Sequence, residues 1–224
     1  GTLAGNVVDN AQLVVNRSDA ITLSADISGT GSLTKQGAGT LTLSGSNSYA
    51  GGTNVNGGVV ALGSANAIGS TGTISFAGGT LQFSAANTTD HSARFSTAAA
   101  QAVSLDTNGQ AVTLATGLTS NGGTLEKKGA GTLTLTGTNT AAGGTLISAG
   151  TLAVGAGGTT GTLAGPVVDN AQLVVNRSDA VTMANAISGS GSLTQQGAGT
   201  LTLTGNNSYG GGTSLAAGTL ALGS

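Results

Sequence analysis

Charged and aromatic side chains are scarce in this sequence. Only 6% of the 224 residues are charged and 2% are aromatic, and tryptophan is absent. An ordinary globular domain has about a quarter of its residues charged, and aromatic rings usually dominate a compact core. The composition therefore excludes a conventional globular core and predicts that many small aliphatic side chains are buried in a regular stack.

Cysteine is also absent, which excludes disulfide bonds and thiolate metal sites. The net charge of −2 provides no basic surface for nucleic acid or for anionic lipid. No apolar run reaches the roughly 18 residues that a membrane-spanning helix requires. The chain begins inside a repeat and without a signal peptide, so we expect it to be a fragment of a longer protein.

The sequence is rich in glycine, with 41 residues, and it contains one strand motif three times. Gly-Ala-Gly-Thr-Leu-Thr-Leu stands at 37–43, 129–135 and 197–203. The glycines permit a sharp turn, and alternating threonine and leucine side chains are typical of a strand with one buried face. We therefore expect the threonines to face solvent and the leucines to face the core. The leucines expected inside are Leu41, Leu43, Leu133, Leu135, Leu201 and Leu203.

Each motif belongs to a longer repeat module, and these modules occupy 31–62, 122–154 and 191–222. In addition, residues 1–64 recur as residues 161–224, with 47 of the 64 positions identical at an offset of 160. Repetition at a fixed offset is the signature of a solenoid or an array. We therefore interpret residues 1–224 as one domain and as an excerpt from a longer repeat array.

Strand signals continue along the whole chain, and helix signals are missing. The first block predicts strands at 12–15, 21–23, 32–34, 41–43, 53–55 and 59–62. The divergent segment 65–121 predicts further strands at 73–76, 80–83, 102–105 and 111–114. Within this segment, Phe76, Phe83 and Phe95 are expected to pack together in the core.

The segment 35–62 begins Lys-Gln-Gly-Ala-Gly-Thr-Leu-Thr-Leu and continues through a polar turn to Gly-Gly-Thr and a second short strand. It resembles the passenger-associated β-strand repeat of bacterial autotransporters, as do its copies at 127–154 and 195–222. The resemblance implies a right-handed parallel β-helix on the outer surface of a Gram-negative bacterium, with a C-terminal outer-membrane barrel beyond this fragment. It does not define an activity, because the same repeat serves adhesins, aggregation factors, toxins and enzyme scaffolds.

The physics of short strands supports an all-β solenoid independently. Such strands are unstable alone, but stacking each coil on the next pairs their backbone groups and buries a continuous aliphatic column. At about 20 residues per coil the chain makes roughly eleven coils. A spacing of about 4.8 Å then gives a rod of roughly 50 Å. A two-sheet sandwich is the alternative fold, and the scarcity of Asn-Gly hairpin turns disfavours it.

No group of residues predicts catalysis, a metal site or a cofactor site. His91 lies between Asp90 and Ser92, but sequence neighbours project to different sides and cannot form a catalytic triad, so we expect a surface loop. The carboxylates are scattered along the chain and are neither paired nor clustered. Lys127 and Lys128 form a lone basic pair that we expect to be solvated. We therefore expect a non-enzymatic protein without cofactor or metal.

Two repeated polar features are the candidates for binding. Arg17 and Asp19 recur as Arg177 and Asp179, and each pair either closes a turn or contacts a partner. If the offset between the copies is a whole number of coils, both pairs lie on one face, about 40 Å apart. The second feature is an asparagine in each polar turn, which we expect to hold the loop. These asparagines are Asn47, Asn139 and Asn207.

The sequence and the resemblance together predict an adhesive or spacer rod, extracellular or on the surface of a Gram-negative cell. One alternative is a self-associating filament or coat element, and another is the scaffold of a secreted toxin or enzyme. The expected partners are a host surface, an abiotic surface or like molecules on neighbouring cells. Nucleic acid is not an expected partner.

Overall fold

The computed structural model describes Leu3 and residues 5–223. In this part of the chain, 24 short strands pair in parallel, and Ser92–Arg94 form a single 3₁₀ turn. Successive strands wind into coils, and each coil stacks on the one before it, so the fold is an all-β solenoid. The predicted fold class is confirmed, and each predicted strand agrees with an observed one to within one or two residues. The two-residue strands Val7–Val8 and Ile27–Ser28 were not predicted.

The first block contains β1 Val7–Val8, β2 Gln12–Asn16, β3 Ile21–Leu23, β4 Ile27–Ser28, β5 Ser32–Gln36, β6 Thr40–Leu43, β7 Thr53–Val55 and β8 Val59–Leu62. The divergent segment contains β9 Ile74–Phe76, β10 Thr80–Gln82, β11 Ala102–Asp106 and β12 Ala111–Leu114. The middle module contains β13 Thr124–Lys128, β14 Thr132–Leu135, β15 Thr145–Ile147 and β16 Thr151–Val154. The second copy contains β17 Val167–Asp169, β18 Gln172–Val175, β19 Val181–Met183, β20 Ile187–Ser188, β21 Ser192–Gln195, β22 Thr200–Leu203, β23 Thr213–Leu215 and β24 Thr219–Leu222.

The first two coils have three strands each, β1 to β3 and β4 to β6, and these define three faces. A nine-stranded sheet runs along the rod in the order β3-β6-β8-β10-β11-β13-β15-β17-β20. A six-stranded sheet has the order β12-β14-β16-β18-β21-β23, and a four-stranded sheet has the order β2-β5-β7-β9. Two smaller sheets, β19-β22-β24 and β1-β4, complete the strand pairing of the described chain.

The length of a coil can be read from the register of the nine-stranded sheet. The step from one strand to the next is shortest between Leu41 and Val60 and longest between Leu81 and Leu105. Eight such steps bring Ile21 to the level of Gly189. The average coil therefore has about 21 residues, within the range of solenoid repeats. The described chain makes about eleven coils of this length, as predicted.

The two copies of the repeated block do not lie on the same faces. Strand β3 belongs to the nine-stranded sheet, whereas its equivalent β19 belongs to the three-stranded sheet. Likewise, β2 lies in the four-stranded sheet and its equivalent β18 in the six-stranded sheet. Eight coils lead from Ile21 to Gly189, but the equivalent of Ile21 in the second copy is Val181. Val181 begins β19, and Gly189 directly follows β20, the next strand of the chain. Because each strand of a coil lies on a different face, equivalent residues of the two copies are displaced by one face.

The displacement begins at β11 in the divergent segment. Ala102, the first residue of β11, bridges to Ala77 just beyond β9, while Leu105 further along β11 pairs with Leu81 of β10. One strand thus starts beside the four-stranded sheet and ends in the nine-stranded sheet. From β11 onward, β13 and its successors continue in the nine-stranded sheet, although their equivalents in the first block belong to other sheets.

The core is a column of aliphatic side chains with a few rings. All six leucines expected inside are at most 5% exposed, and the threonines between them are half-buried on the outer face. Phe76 and Phe95 meet edge to face, with ring centroids 5.0 Å apart, and Phe83 is buried in the same core. Tyr49 is fully buried, and its hydroxyl lies 2.8 Å from Oγ1 of Thr53.

Candidate functional site

The two Arg-Ser-Asp segments form closed ion-paired turns. In the first, Nε of Arg17 donates to Oδ1 of Asp19 at 2.7 Å, and Nη2 donates to Oδ2 at 2.6 Å. Arg177 makes the same two bonds to Asp179, at 2.9 and 2.7 Å. The hydrogen bonds from Arg17 lower the pKa of Asp19 to about 2, and those from Arg177 also lower the pKa of Asp179. This geometry is the paired turn predicted from sequence.

The second turn also makes hydrogen bonds to a neighbouring loop. Nη1 of Arg177 donates to the carbonyl oxygen of Gly161 at 2.5 Å, and Nη2 donates to that of Thr159 at 2.6 Å. The Arg177 side chain is 9% exposed, compared with 33% for Arg17. Arg177 therefore clamps the loop 155–161, which supports a structural role for this guanidinium.

The expectation that the two pairs lie on one face is wrong. Arg17 follows β2 of the four-stranded sheet, whereas Arg177 follows β18 of the six-stranded sheet. The condition of a whole number of coils is not met, because the second copy of Ile21 is Val181 and eight coils end only at Gly189. The two turns therefore point to different sides of the rod.

The segment 90–92 does not form a triad, but the prediction of a surface loop was wrong for His91. This side chain is 7% exposed, and Nε2 has no hydrogen-bond partner among the described residues. Burial, together with the charge of Arg94, lowers its pKa to about 4, so the imidazole is neutral at pH 7. Asp90 accepts hydrogen bonds from the backbone N–H groups of Ser92 and Ala115, so each of its carboxylate oxygens has a backbone partner.

The prediction that Lys127 is solvated was also wrong. Lys127 has no exposed surface, and its Nζ donates to the carbonyl oxygens of Lys128, Gly129 and Ala149 at 2.7 to 3.0 Å. Lys35 is buried in the same way at the equivalent place of the first module. Burial lowers the pKa of Lys127 to about 8. In these two modules the inward amine connects the turn that follows its own strand to the next coil.

In the second copy, the place of the buried lysine is taken by Gln195, which is 1% exposed. Its Nε2 donates to the carbonyl oxygens of Gly197 and Gly199, at 2.9 and 3.1 Å. The amide shares one carbonyl position with the lysines, two residues further along the chain, but its side chain donates no hydrogen bond to the next coil among the described residues. This inward position therefore accepts an uncharged donor as well as an ammonium group.

The asparagines of the polar turns connect neighbouring coils, as predicted. Oδ1 of Asn47 accepts from the backbone N–H of Ile27 at 2.8 Å, and its Nδ2 donates to the carbonyl oxygen of Ala67 at 2.6 Å. Asn139 makes the equivalent contacts to the coils below and above, and Asn207 accepts from the N–H of Ile187. Because Asn47 is 4% exposed, its amide is not available to a ligand.

One polar cluster on the outside of the nine-stranded sheet was not found from the sequence. Glu126 accepts hydrogen bonds from Oγ of Ser104 at 3.2 Å and of Ser148 at 3.0 Å, and its carboxylate lies 3.1 Å from Nζ of Lys128. Oγ of Ser104 is in turn 3.0 Å from Oγ1 of Thr80. These residues come from adjacent coils, so only the register of the sheet brings them together. The contacts saturate the carboxylate and give the cluster a structural role.

The described residues contain no group of three histidine, cysteine, aspartate or glutamate side chains placed to hold a metal ion. Within the same part of the chain, no helix has the length and hydropathy needed to cross a bilayer.

Three segments match the family model of the passenger-associated-transport-repeat, at residues 33–62, 125–154 and 193–222. Three segments of the chain are therefore similar to this repeat. Each passenger repeat begins in β5, β13 or β21 and ends with β8, β16 or β24, so it contains the inward lysine or glutamine and the bridging asparagine. The resemblance stated from sequence is confirmed. No curated protein and no solved structure matches the chain.

Proposed function

We propose that this passenger-repeat domain is a non-enzymatic adhesive or spacer rod on the surface of a Gram-negative bacterium. The observation that carries the proposal is that long polar side chains tie each coil to its neighbours. Asn47 bonds to the coils on both sides of its own, and Lys35 and Lys127 each join two coils. Such links resist bending and separation of the coils, which suits a rod that holds a contact surface away from the cell.

The use of the carboxylates supports a non-enzymatic role. Each of the eight acidic residues accepts at least one hydrogen bond from a side chain or a backbone N–H of the same chain. A hydrolase needs a carboxylate with free access to its substrate. Here the carboxylates close turns or join coils, which is the use expected in a scaffold.

The partners we propose are a host or abiotic surface, reached through the outer face of the rod. The alternative is association with like molecules on neighbouring cells. The half-exposed threonines of β6, β14 and β22 favour either case, because uncharged hydroxyl groups can donate and accept hydrogen bonds without charge repulsion between identical rods.

The test compares bacteria that express the full-length protein with bacteria whose protein lacks residues 1–224. Adhesion to epithelial cells and to glass is measured alongside clumping in suspension, with surface display checked by protease shaving. Loss of adhesion supports an adhesive rod, and loss of clumping alone supports the filament alternative. If an unrelated solenoid of equal length restores adhesion, the domain is a spacer. Unchanged adhesion and unchanged clumping, with normal display, would overturn the proposal.

A further inference from the structure

The two copies of the block use the same outer side chains differently. In the first copy, Oγ1 of Thr34 accepts hydrogen bonds from Nε2 of Gln12 and from Nδ2 of Asn54, both at 3.0 Å. Oδ1 of Asn54 accepts from Ser75 at 2.8 Å. Thr34 is consequently only 2% exposed. We call this row of outward side chains closed, because its members satisfy one another's hydrogen bonds.

In the second copy, the equivalent row is open. Thr194 takes the place of Thr34, and it is half-exposed and makes no side-chain hydrogen bond within the described chain. Gln172 takes the place of Gln12, and it contacts Thr151, whose Oγ1 donates to Oε1 of Gln172 at 2.9 Å. The amide nitrogen of Gln172 has no partner in the part of the chain that the structure describes. The residue paired with Thr194 in β23 is Ser214, which is too short to bridge as Asn54 does.

These residues surround a shallow outer groove of about 490 Å³ on the six-stranded sheet. Its floor is Ala153 paired with Val174, which alternate with core residues and so point outward, yet are only 8% and 6% exposed. Thr134 and Thr194 extend the same row on either side of the floor. One wall consists of Thr151 and Gln172, and the other of Asn176 with the start of the loop that Arg177 clamps.

The chemistry of the outer groove is apolar at the floor and polar but uncharged at the walls. None of the described residues that line it is charged. The free groups at the walls both donate and accept, because an amide and a hydroxyl each do so. A binding site with an apolar surface and a few placed polar groups selects a ligand that presents both. A neutral sugar has this character, with C–H groups on the faces of its ring and hydroxyl groups at its edge.

We propose that the outer groove binds a neutral oligosaccharide. The sugar ring lies across the groove above Ala153 and Val174, and its hydroxyl groups bond to Gln172, Asn176 and Thr194. Adjacent strands are about 4.8 Å apart, which is close to the length of one sugar unit in an extended chain, so successive rings meet successive strands. This binding does not depend on the adhesive role proposed above, because it is a property of the isolated chain.

The experiment uses the purified 224-residue chain and isothermal titration with maltohexaose, cellohexaose and chitohexaose, at low and high salt. A heparin hexasaccharide serves as the charged comparison. The double variant Gln172→Ala/Thr194→Val removes two wall groups, and Gln12→Ala/Thr34→Val is the matched control in the closed row. We expect at least one neutral hexasaccharide to bind. The groove variant should weaken binding about thirtyfold, since it loses two hydrogen bonds of about 1 kcal/mol each. The control should bind as the unchanged chain does.

Binding to a neutral hexasaccharide that is insensitive to salt and weakened in the groove variant supports the proposal. Circular dichroism and thermal melting of both variants show whether they are folded, and Thr194→Val alone, which keeps the side-chain shape, is the fallback. The proposal is overturned if no neutral hexasaccharide binds, if only the heparin fragment binds, or if both double variants bind equally. It is also overturned if sedimentation shows a dimer that the groove variant abolishes, since a second copy then occupies the groove.

Discussion

Residues 1–64 and 161–224 share 47 of their 64 positions, but their strands have different neighbours. β5 lies between β2 and β7, and its equivalent β21 lies between β18 and β23, so pairing inside each copy is conserved. The neighbours outside the copy differ, since β18 also pairs with β16 of the middle module. Local residues thus determine how the strands within a copy pair. The number of residues in the intervening coils determines on which face of the rod each strand lies.

The comparison separates two kinds of position. Inward leucines of the Thr-Leu-Thr-Leu strands have the same surroundings in both copies, because every coil presents an aliphatic column. Leu41 and Leu201, for example, are both completely buried. Outward residues depend on the neighbouring coils, as the closed row at Thr34 and the open row at Thr194 show. Duplication therefore preserved the core and diversified the surface.

The largest effect is expected inside the core. Leu41→Asp and Leu201→Asp each place a charge in an apolar column, and both should lower the free energy of unfolding by several kcal/mol. Thr42→Asp and Thr202→Asp, on the half-exposed outer face, should change it by less than about 1 kcal/mol. Urea unfolding followed by circular dichroism measures all four. A leucine variant that is tolerated in one copy only would show that the cores are not equivalent.

A smaller difference should separate the two tyrosines. Tyr49 is completely buried, so Tyr49→Ala should cost about 3–5 kcal/mol, whereas Tyr209→Ala should cost about half as much because Tyr209 is half-exposed. Both hydroxyls bond to a threonine four residues later, at 2.8 and 2.6 Å. Tyr49→Phe, which loses only that hydrogen bond, is the control, at about 1 kcal/mol. Equal losses in the two alanine variants would contradict the difference in burial.

The inward lysines predict a pH dependence that Gln195 does not share. The pKa of Lys127 is about 8 in the folded chain and about 10.5 when unfolded, so between these values the unfolded chain binds more protons. Stability should therefore rise with pH, by about 2 kcal/mol between about pH 7.5 and 9.5, before tyrosines ionise. Lys127→Gln copies the second-copy residue and should reduce this rise. If stability rises as much with pH in that variant, another group causes the rise. Lys35 is one such group, because burial also lowers its pKa.

The smallest effect is expected at the Arg-Ser-Asp turns. Arg177→Ser removes bonds to Asp179 and to two loop carbonyls, and should cost about 2 kcal/mol. Arg17→Ser should cost less and should depend more on salt, because the Arg17 side chain is one-third exposed. Hydrogen exchange in the loop 155–161 provides the local measurement. Exchange there should become faster in the Arg177 variant and stay unchanged in the Arg17 variant. The opposite pattern would show that Arg177 does not hold this loop.

Much of the fold follows from the sequence because the strand signal is local. The alternation of threonine and leucine places Leu133 and Leu135 on one side of β14, whatever the rest of the chain does. The same alternation also places Lys127 on the inward side with Leu125, two residues before it. That signal was present, but a run of Glu-Lys-Lys is typical of a solvated segment, and the prediction followed charge when periodicity should have decided.

Other features could not be predicted because they depend on sums over many coils. The displacement by one face arises because the coils differ in their number of residues. The sum over all intervening coils decides the face, and it cannot be read from any single segment of the sequence. The cluster at Glu126 and the outer groove at Val174 likewise combine residues that lie one coil apart in sequence, so they exist only once the register is known.

The displacement also determines which sides of the rod carry the two copies of a repeated surface residue. Two identical contacts on one side of a rod would grip a single flat partner twice, and the second contact would strengthen the first through its high effective concentration. Here the paired turns at Arg17 and Arg177 leave the axis in different directions. Equivalent outward residues of the two copies therefore lie on separate sides of the rod. An offset of eight whole coils would have placed them on one side.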